Sequence, residues 1–168
     1  MVNIRAAVPG DARALAQVHT ESWRSTFARI VPAAILAAQT DLARTTSQYR
    51  SILAAGRGHG YLLELDGAPH CIAWWDAARE EGMPGFAELI CIHSRVDNRR
   101  RGYGGMLLRR VLADAEAAGC RGILLWVFTD NLPAVRFYRS HGFSPTGRTQ
   151  LAFGAVEEMY QKEFQVSG

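Results

Sequence analysis

No stretch of this 168-residue chain approaches the roughly 18 consecutive apolar residues that a membrane-spanning helix needs. Its start, Met1-Val2-Asn3-Ile4-Arg5, lacks the apolar core of a secretory signal. A cytoplasmic protein with no membrane partner is therefore expected. Cysteine is sparse: Cys71, Cys91 and Cys120 are widely spaced, with no Cys-x-x-Cys pair and no histidine cluster, which argues against a disulfide framework or a metal site and for free thiols. Lysine is almost missing, Lys162 being the only one among 19 basic residues. The net charge of +3 and the pI near 9.0 are weak signals, because 16 acidic residues are dispersed among the basic ones, and no nucleic-acid partner is expected. The chain also has no Gly-Lys-Ser/Thr and no Gly-x-Ser-x-Gly, which excludes a phosphate-loop nucleotide enzyme and a nucleophile-elbow hydrolase.

What is present suffices for one well-cored domain over residues 1–168, at 48% hydrophobic composition. Residues 3–8 read as a strand, and Pro9-Gly10-Asp11 as a turn with Asp11 as helix N-cap. Ala12, Leu15, Ala16, His19 and Trp23 fall at helical spacing, a second short helix starts at Pro32, and a third covers 42–55. Residues 61–65 and 71–75 form a hairpin around Asp66-Gly67-Ala68-Pro69, followed by a strand at 86–94. The spacing predicts an amphipathic helix over 103–118, with Leu107, Leu108, Val111, Leu112 and Ala115 on one face and Gly119 as its stop. Residues 122–128 are apolar at every position, as a strand covered on both faces would be, and should pair in parallel with 86–94. A helix at 132–140 and two strands within 143–164 complete an α/β (α+β) fold: a mixed sheet of about seven strands flanked by about four helices.

The chemistry concentrates at Arg99-Arg100-Arg101-Gly102-Tyr103-Gly104-Gly105, between a strand and a helix. Glycines there let the backbone turn tightly and approach a ligand, while the helix start aims unpaired N–H groups at an anion. A dinucleotide oxidoreductase is excluded, since the third glycine of Gly-x-Gly-x-x-Gly would fall on Leu107 and no acidic residue follows at 119–123. Downstream, Asn131-x-x-Ala134-x-x-Phe137-Tyr138-x-x-x-Gly142-Phe143 supplies a tyrosine one helix away.

In these two segments the chain resembles the GCN5-related N-acetyltransferase (GNAT) superfamily, whose diagnostic Arg/Gln-x-x-Gly-x-Gly/Ala appears as Arg99-Arg100-Arg101-Gly102-Tyr103-Gly104. The resemblance implies an acetyl-coenzyme A donor and transfer to an amine-bearing acceptor. It implies that the backbone of Arg101, Gly102, Tyr103, Gly104 and Gly105 holds the pyrophosphate, that the Arg99 side chain caps the same turn, and that the main chain of Ile92, Ser94 and Val96 meets the pantetheine arm beside a strand bulge. Asn131 would hydrogen-bond that arm, and Tyr138 would lie near the thioester sulfur and protonate the leaving thiolate. Val96 and Ser94 depart from the family, where proline and an aliphatic residue are common.

Transfer also needs a group that takes a proton from the attacking amine. Alternation in an unbroken strand places Glu88, Ile90, Ile92 and Ser94 on one face and His93 on the other, which makes Glu88, acting through water, the first base and His93 the reserve. Glu88 also fits a solvating edge role, and Tyr138 a core role. Trp23, Phe27, Trp74 and Trp75 offer flat walls for an acceptor, and Glu21, Asp76, Glu80 and Glu81 offer charge for a cationic one. The acceptor is a small molecule or a peptide or protein amine. A non-catalytic coenzyme A sensor on the same fold is the rival from another class, and exposed final strands would permit a homodimer.

Overall fold

Apolar alternation in the extended runs and apolar stripes in the helical ones set the elements of a computed structural model that describes residues 1–97 and 100–165. In chain order these are β1 (Val2–Ala6), a 3-10 turn (Pro9–Asp11), α1 (Ala12–Thr26), α2 (Ala33–Gln39), α3 (Leu42–Ala54), β2 (His59–Leu65), β3 (Ala68–Ala77), β4 (Phe86–Ser94), α4 (Tyr103–Ala117), β5 (Gly122–Phe128), α5 (Leu132–Ser140), β6 (Ser144–Ala152) and β7 (Ala155–Glu163). The strands form one sheet in the order β1-β2-β3-β4-β5-β7-β6. The five helices among the described residues include the short α2, which follows Pro32 where the sequence places a second short helix. All pairings are antiparallel except β4 with β5, whose parallel relation follows from the α4 crossover between them.

Two layers of side chains hold the sheet. On one face Leu107, Leu108 and Val111 of α4 pack with Ala73, Trp75, Ala87, Leu89, Ile123 and Leu125. On the other, Leu15 and Val18 of α1 and Tyr49 of α3 pack with Leu62, Ile72 and Trp74. Each fully buried leucine contributes about 1.5–3 kcal/mol by leaving water, so the apolar stripe of α4 is enough to fix that helix, and the turn before it, against the sheet.

Two local features place the site. The β4–β5 ladder pairs Phe86, Ala87 and Glu88 with Gly122, Ile123 and Leu124. Beyond it β4 stays with β3 and β5 with β7, so the two parallel strands part. Where they part, β4 carries a bulge: Trp74 opposes Cys91 while Trp75 opposes Leu89, leaving Ile90 as the extra residue. A bulge in this strand is what the family resemblance implies, and it overrides the unbroken alternation that set Glu88 and His93 on opposite faces. Ile92 packs with the α4 side, whereas His93 turns to α1, where its ring meets Ser22 and His19.

Asp11 also differs from expectation. It precedes α1 but makes no side-chain cap there. Its carboxylate instead accepts from Arg5 Nη1 and Nη2 at 2.7 and 3.0 Å and from the Val8 N–H at 2.7 Å, and the Arg5 guanidinium holds it below the usual carboxylate range. The 3-10 turn folds Asp11 back on β1, and the ion pair takes the place of the cap.

Candidate active site

A cleft of about 1540 Å³ opens where β4 and β5 part, bounded by α1, the bulged half of β4, the N-terminus of α4, the end of β5, and α5. Ligands in open α/β sheets enter at such carboxyl ends, because the diverging strands leave backbone groups without ladder partners. Ile92, Ser94, Gly102, Tyr103, Gly104, Gly105, Asn131 and Tyr138 all line this cleft, drawn together from segments that sequence reading assigned to one unit. Glu88, Val96 and Arg101 are not among its lining residues, and Arg99 lies outside the described residues.

Gly102 is the N-cap of α4 at φ +84, a conformation natural to glycine, and no side chain caps the helix there. The N–H groups of the first turn therefore face the cleft with the positive end of the helix dipole behind them. A Cβ built on Gly104 would lie 3.8 Å from both the Phe137 ring and Ser94 Oγ, ordinary contact that the fold could hold but that would occupy the space in front of the turn. These are the properties of a cradle for a phosphate-bearing ligand. Val96, by contrast, gives its N–H to Glu21 Oε1 at 3.3 Å, and Asn131 Oδ1 accepts the Ala134 N–H at 3.4 Å as the cap of α5.

Tyr138 reaches the same cleft from α5, half-buried between Phe137 and Phe143. Burial, reinforced by Cys91 nearby, pushes its phenol up, so it stays protonated through neutral pH, and its hydroxyl makes no hydrogen bond within the described residues. Cys91 is a thiol at neutral pH, pushed up to about 11 by burial against the opposing effect of Tyr49. That rules it out as a ready nucleophile.

Beside the bulge the His93 and His19 rings lie 4.8 Å apart. His93 Nδ1 is 3.2 Å from Ser22 Oγ, and His19 Nδ1 is 2.8 Å from the Tyr49 hydroxyl. Burial brings His19 down to about 4 and, with the His19 charge adding to it, holds His93 well below its ordinary value. Both are neutral at neutral pH. Glu88, 2% exposed, is joined to Arg79 through contacts of 2.6 and 2.8 Å. No local pattern along the chain marks Arg79 as the partner of Glu88.

Of the acceptor walls expected from sequence, Trp23, Phe27 and Trp74 line the cleft and Trp75 does not. Trp75 is buried on the α4 side, donating Nε1–H to Tyr61 at 3.0 Å, because β3 alternates it away from Trp74. Glu21 pairs with Arg95, Glu80 pairs with Arg148 and Glu81 is exposed away from the cleft lining, leaving Asp76 on the cleft wall. Among the lining residues that sequence reading missed are Phe128, Phe153 and Glu157. The Glu157 carboxyl is raised by burial and accepts from Gln150 Nε2 at 2.7 Å. Only the β5–β7 register, which sets Glu157 opposite Phe128, could have revealed it.

The acetyltransferase (GNAT) family matches residues 16–143, a span running from α1 through the glycine turn and α5 to the residue before β6. The chain belongs to that family. Among relatives of this GNAT chain, the uncharacterized N-acetyltransferase YuaI of Bacillus subtilis is 26% identical over 141 residues, covering 84% of this chain and 79% of that protein. A mycothiol acetyltransferase of Actinosynnema mirum is 34% identical over 86 residues, 51% of this chain but only 28% of that larger protein. In fold it is similar to the PaiA N-acetyltransferase of Thermoplasma acidophilum, solved in complex with coenzyme A, at a TM-score of 0.77 and 17% identity, covering 98% and 99% of the two chains. It is also similar to YncA of Salmonella typhimurium, solved with acetyl-CoA, at a TM-score of 0.76 and 19% identity over 100% and 96%.

Proposed function

We propose that this GNAT chain transfers an acetyl group from acetyl-CoA to a primary amine by direct attack within a ternary complex. The observation that carries the reading is the uncapped, glycine-lined start of α4 opening into the cleft at the β4–β5 split. Two fold neighbours were solved with coenzyme A or acetyl-CoA, which fits the cradle.

Acetyl-CoA, when bound, supplies a thioester carbonyl open to attack and a thiol leaving group. In this reading the backbone N–H groups of Arg101, Gly102, Tyr103, Gly104 and Gly105 hold the pyrophosphate. The parted edge of β4, at Ile92 and Ser94, offers main-chain groups to the extended arm, an N–H near Ile92 polarises the carbonyl, and Asn131 closes the arm from α5. Tyr138 donates its phenolic proton to the departing sulfur. For the amine proton, His93 now stands ahead of Glu88: it is neutral and lines the cleft, whereas Glu88 is held by Arg79 outside it. Glu88 remains the alternative, acting through water.

The first test is thermal unfolding with acetyl-CoA, free coenzyme A and NADH at matched concentrations. At about 100 times Kd a ligand adds roughly 2.7 kcal/mol, a rise of about 5–10 °C for a chain of this size. Shifts with both coenzyme A forms and none with NADH are expected, followed by thiol release with an amine. No coenzyme A shift would overturn the cradle, and a shift without turnover on any amine would favour a sensor.

A further inference from the structure

Resting on the acetyl-transfer reading, we infer that the acceptor is an amine carrying an aromatic or similarly bulky apolar group together with a carbonyl or carboxylate oxygen, and that Trp23 and Phe153 select it. Four rings from three distant parts of the chain converge on the cleft. The end of α1 brings Trp23 and Phe27, four residues apart on one helical face, with centroids 4.6 Å apart. Phe128, the last residue of β5, lies 5.2 Å from Phe27. Phe153, at the tip of the β6–β7 hairpin, lies 5.2 Å edge-on from Trp23 and 6.4 Å from Phe128. All four line the same cleft as the glycine turn.

Two observations show that this cluster is more than core. Phe153 is 44% exposed and sits at φ +53, a left-handed conformation that bulky side chains rarely adopt. The next residue, Gly154, packs so closely that a Cβ would lie 2.9 Å from the Pro32 ring, so the tip is pinned on the start of α2 and Phe153 is held in place. A strained, half-open aromatic kept over a cleft presents apolar surface to a ligand. The second observation is the Trp23 indole: the residue is 6% exposed, and its buried Nε1–H meets no acceptor among the described residues. A buried donor needs an oxygen, and a ligand carbonyl or carboxylate in the cleft provides one. The same N–H presents its positive end and so disfavours a second ammonium, which separates this acceptor from a diamine held by its charge in an aromatic cage.

The test titrates protein loaded with coenzyme A against four amines by calorimetry, with thiol release from acetyl-CoA measured in parallel: L-phenylalaninamide, 2-phenylethylamine, glycinamide and butane-1,4-diamine. Phenylalaninamide should bind at least about tenfold tighter than glycinamide and at least about threefold tighter than 2-phenylethylamine, as burial of a ring and one hydrogen bond predict. Phe153→Asn, which tolerates the left-handed turn, should shrink the first ratio to under about threefold, and Trp23→Phe should erase the second. Should Trp23→Phe fail to fold, the Phe153→Asn ratio decides alone. Glycinamide or the diamine binding as tightly as phenylalaninamide, or no amine binding at all, overturns the inference. Failure of coenzyme A itself to bind removes the transferase reading, and titration of the four amines into unloaded protein then still decides the pocket.

Discussion

Tyr138 and His93 differ in what their surroundings do to a proton, and that difference sets their separate tests. Burial keeps the Tyr138 phenol protonated, so Tyr138→Phe should lower kcat by about a hundredfold or more while the coenzyme A Kd, read by calorimetry, moves by less than about twofold. Burial keeps His93 neutral, so His93→Gln should lower kcat/KM by at least about a hundredfold, and in the unaltered enzyme the acidic limb due to His93 should fall below pH 6.5. Glu88→Gln should cost less than about tenfold if Arg79 already holds that carboxylate, and the reverse ranking in steady-state rates would return the role to Glu88. Sequence made the residue types legible and their roles only partly so. Tyr138 sits within a spaced motif that survives reading along the chain. The relation of Glu88 to His93 depends on a bulge made by a neighbouring strand, and Phe153 depends on a hairpin tip landing against α2, neither of which is written locally.

At the level of elements the α4 turn makes the clearest separable prediction. Gly104→Ala adds a methyl that the fold accepts at 3.8 Å from Phe137 and Ser94 and that fills the approach to the cradle. The thermal midpoint should stay level or rise, since alanine is favoured over glycine in a helix by about 0.5–1 kcal/mol, while coenzyme A binding weakens by at least about tenfold. A loss of stability with unchanged binding would contradict the cradle. The same helix shows why elements were readable: Leu107, Leu108 and Val111 repeat with the helical period and all are fully buried. Asp11 shows the limit, because a good capping residue was taken by Arg5, an ion pair formed across a turn.

For the molecule as a whole, burial of two neutral histidines ties stability to pH. His19 is brought down to about 4 when folded against about 6.5 unfolded, so between those values the unfolded chain binds more protons and stability falls as pH falls. His93 acts in the same direction, and Glu157, raised by burial, acts in the opposite one. Urea midpoints measured from pH 7 to pH 4.5 should therefore decline less in His19→Gln than in the unaltered protein, and parallel curves would refute the assignment. The parallel crossover and the seven strands that bring these groups together were legible from the order of elements; the insertion of β7 between β5 and β6 and the pairing of His19 with His93 across α1 and β4 were not. The bulge at Ile90 has a bearing on how this chain can vary. A strand has a two-letter rhythm, and one added residue inverts its parity: everything after Ile90 that faces α1 would face α4 without it. Side chains along β4 can be exchanged one at a time, but its length between Glu88 and His93 can change only in even steps. Deleting Ile90 alone would leave the composition of the strand almost untouched and send His93 to the wrong side of the sheet.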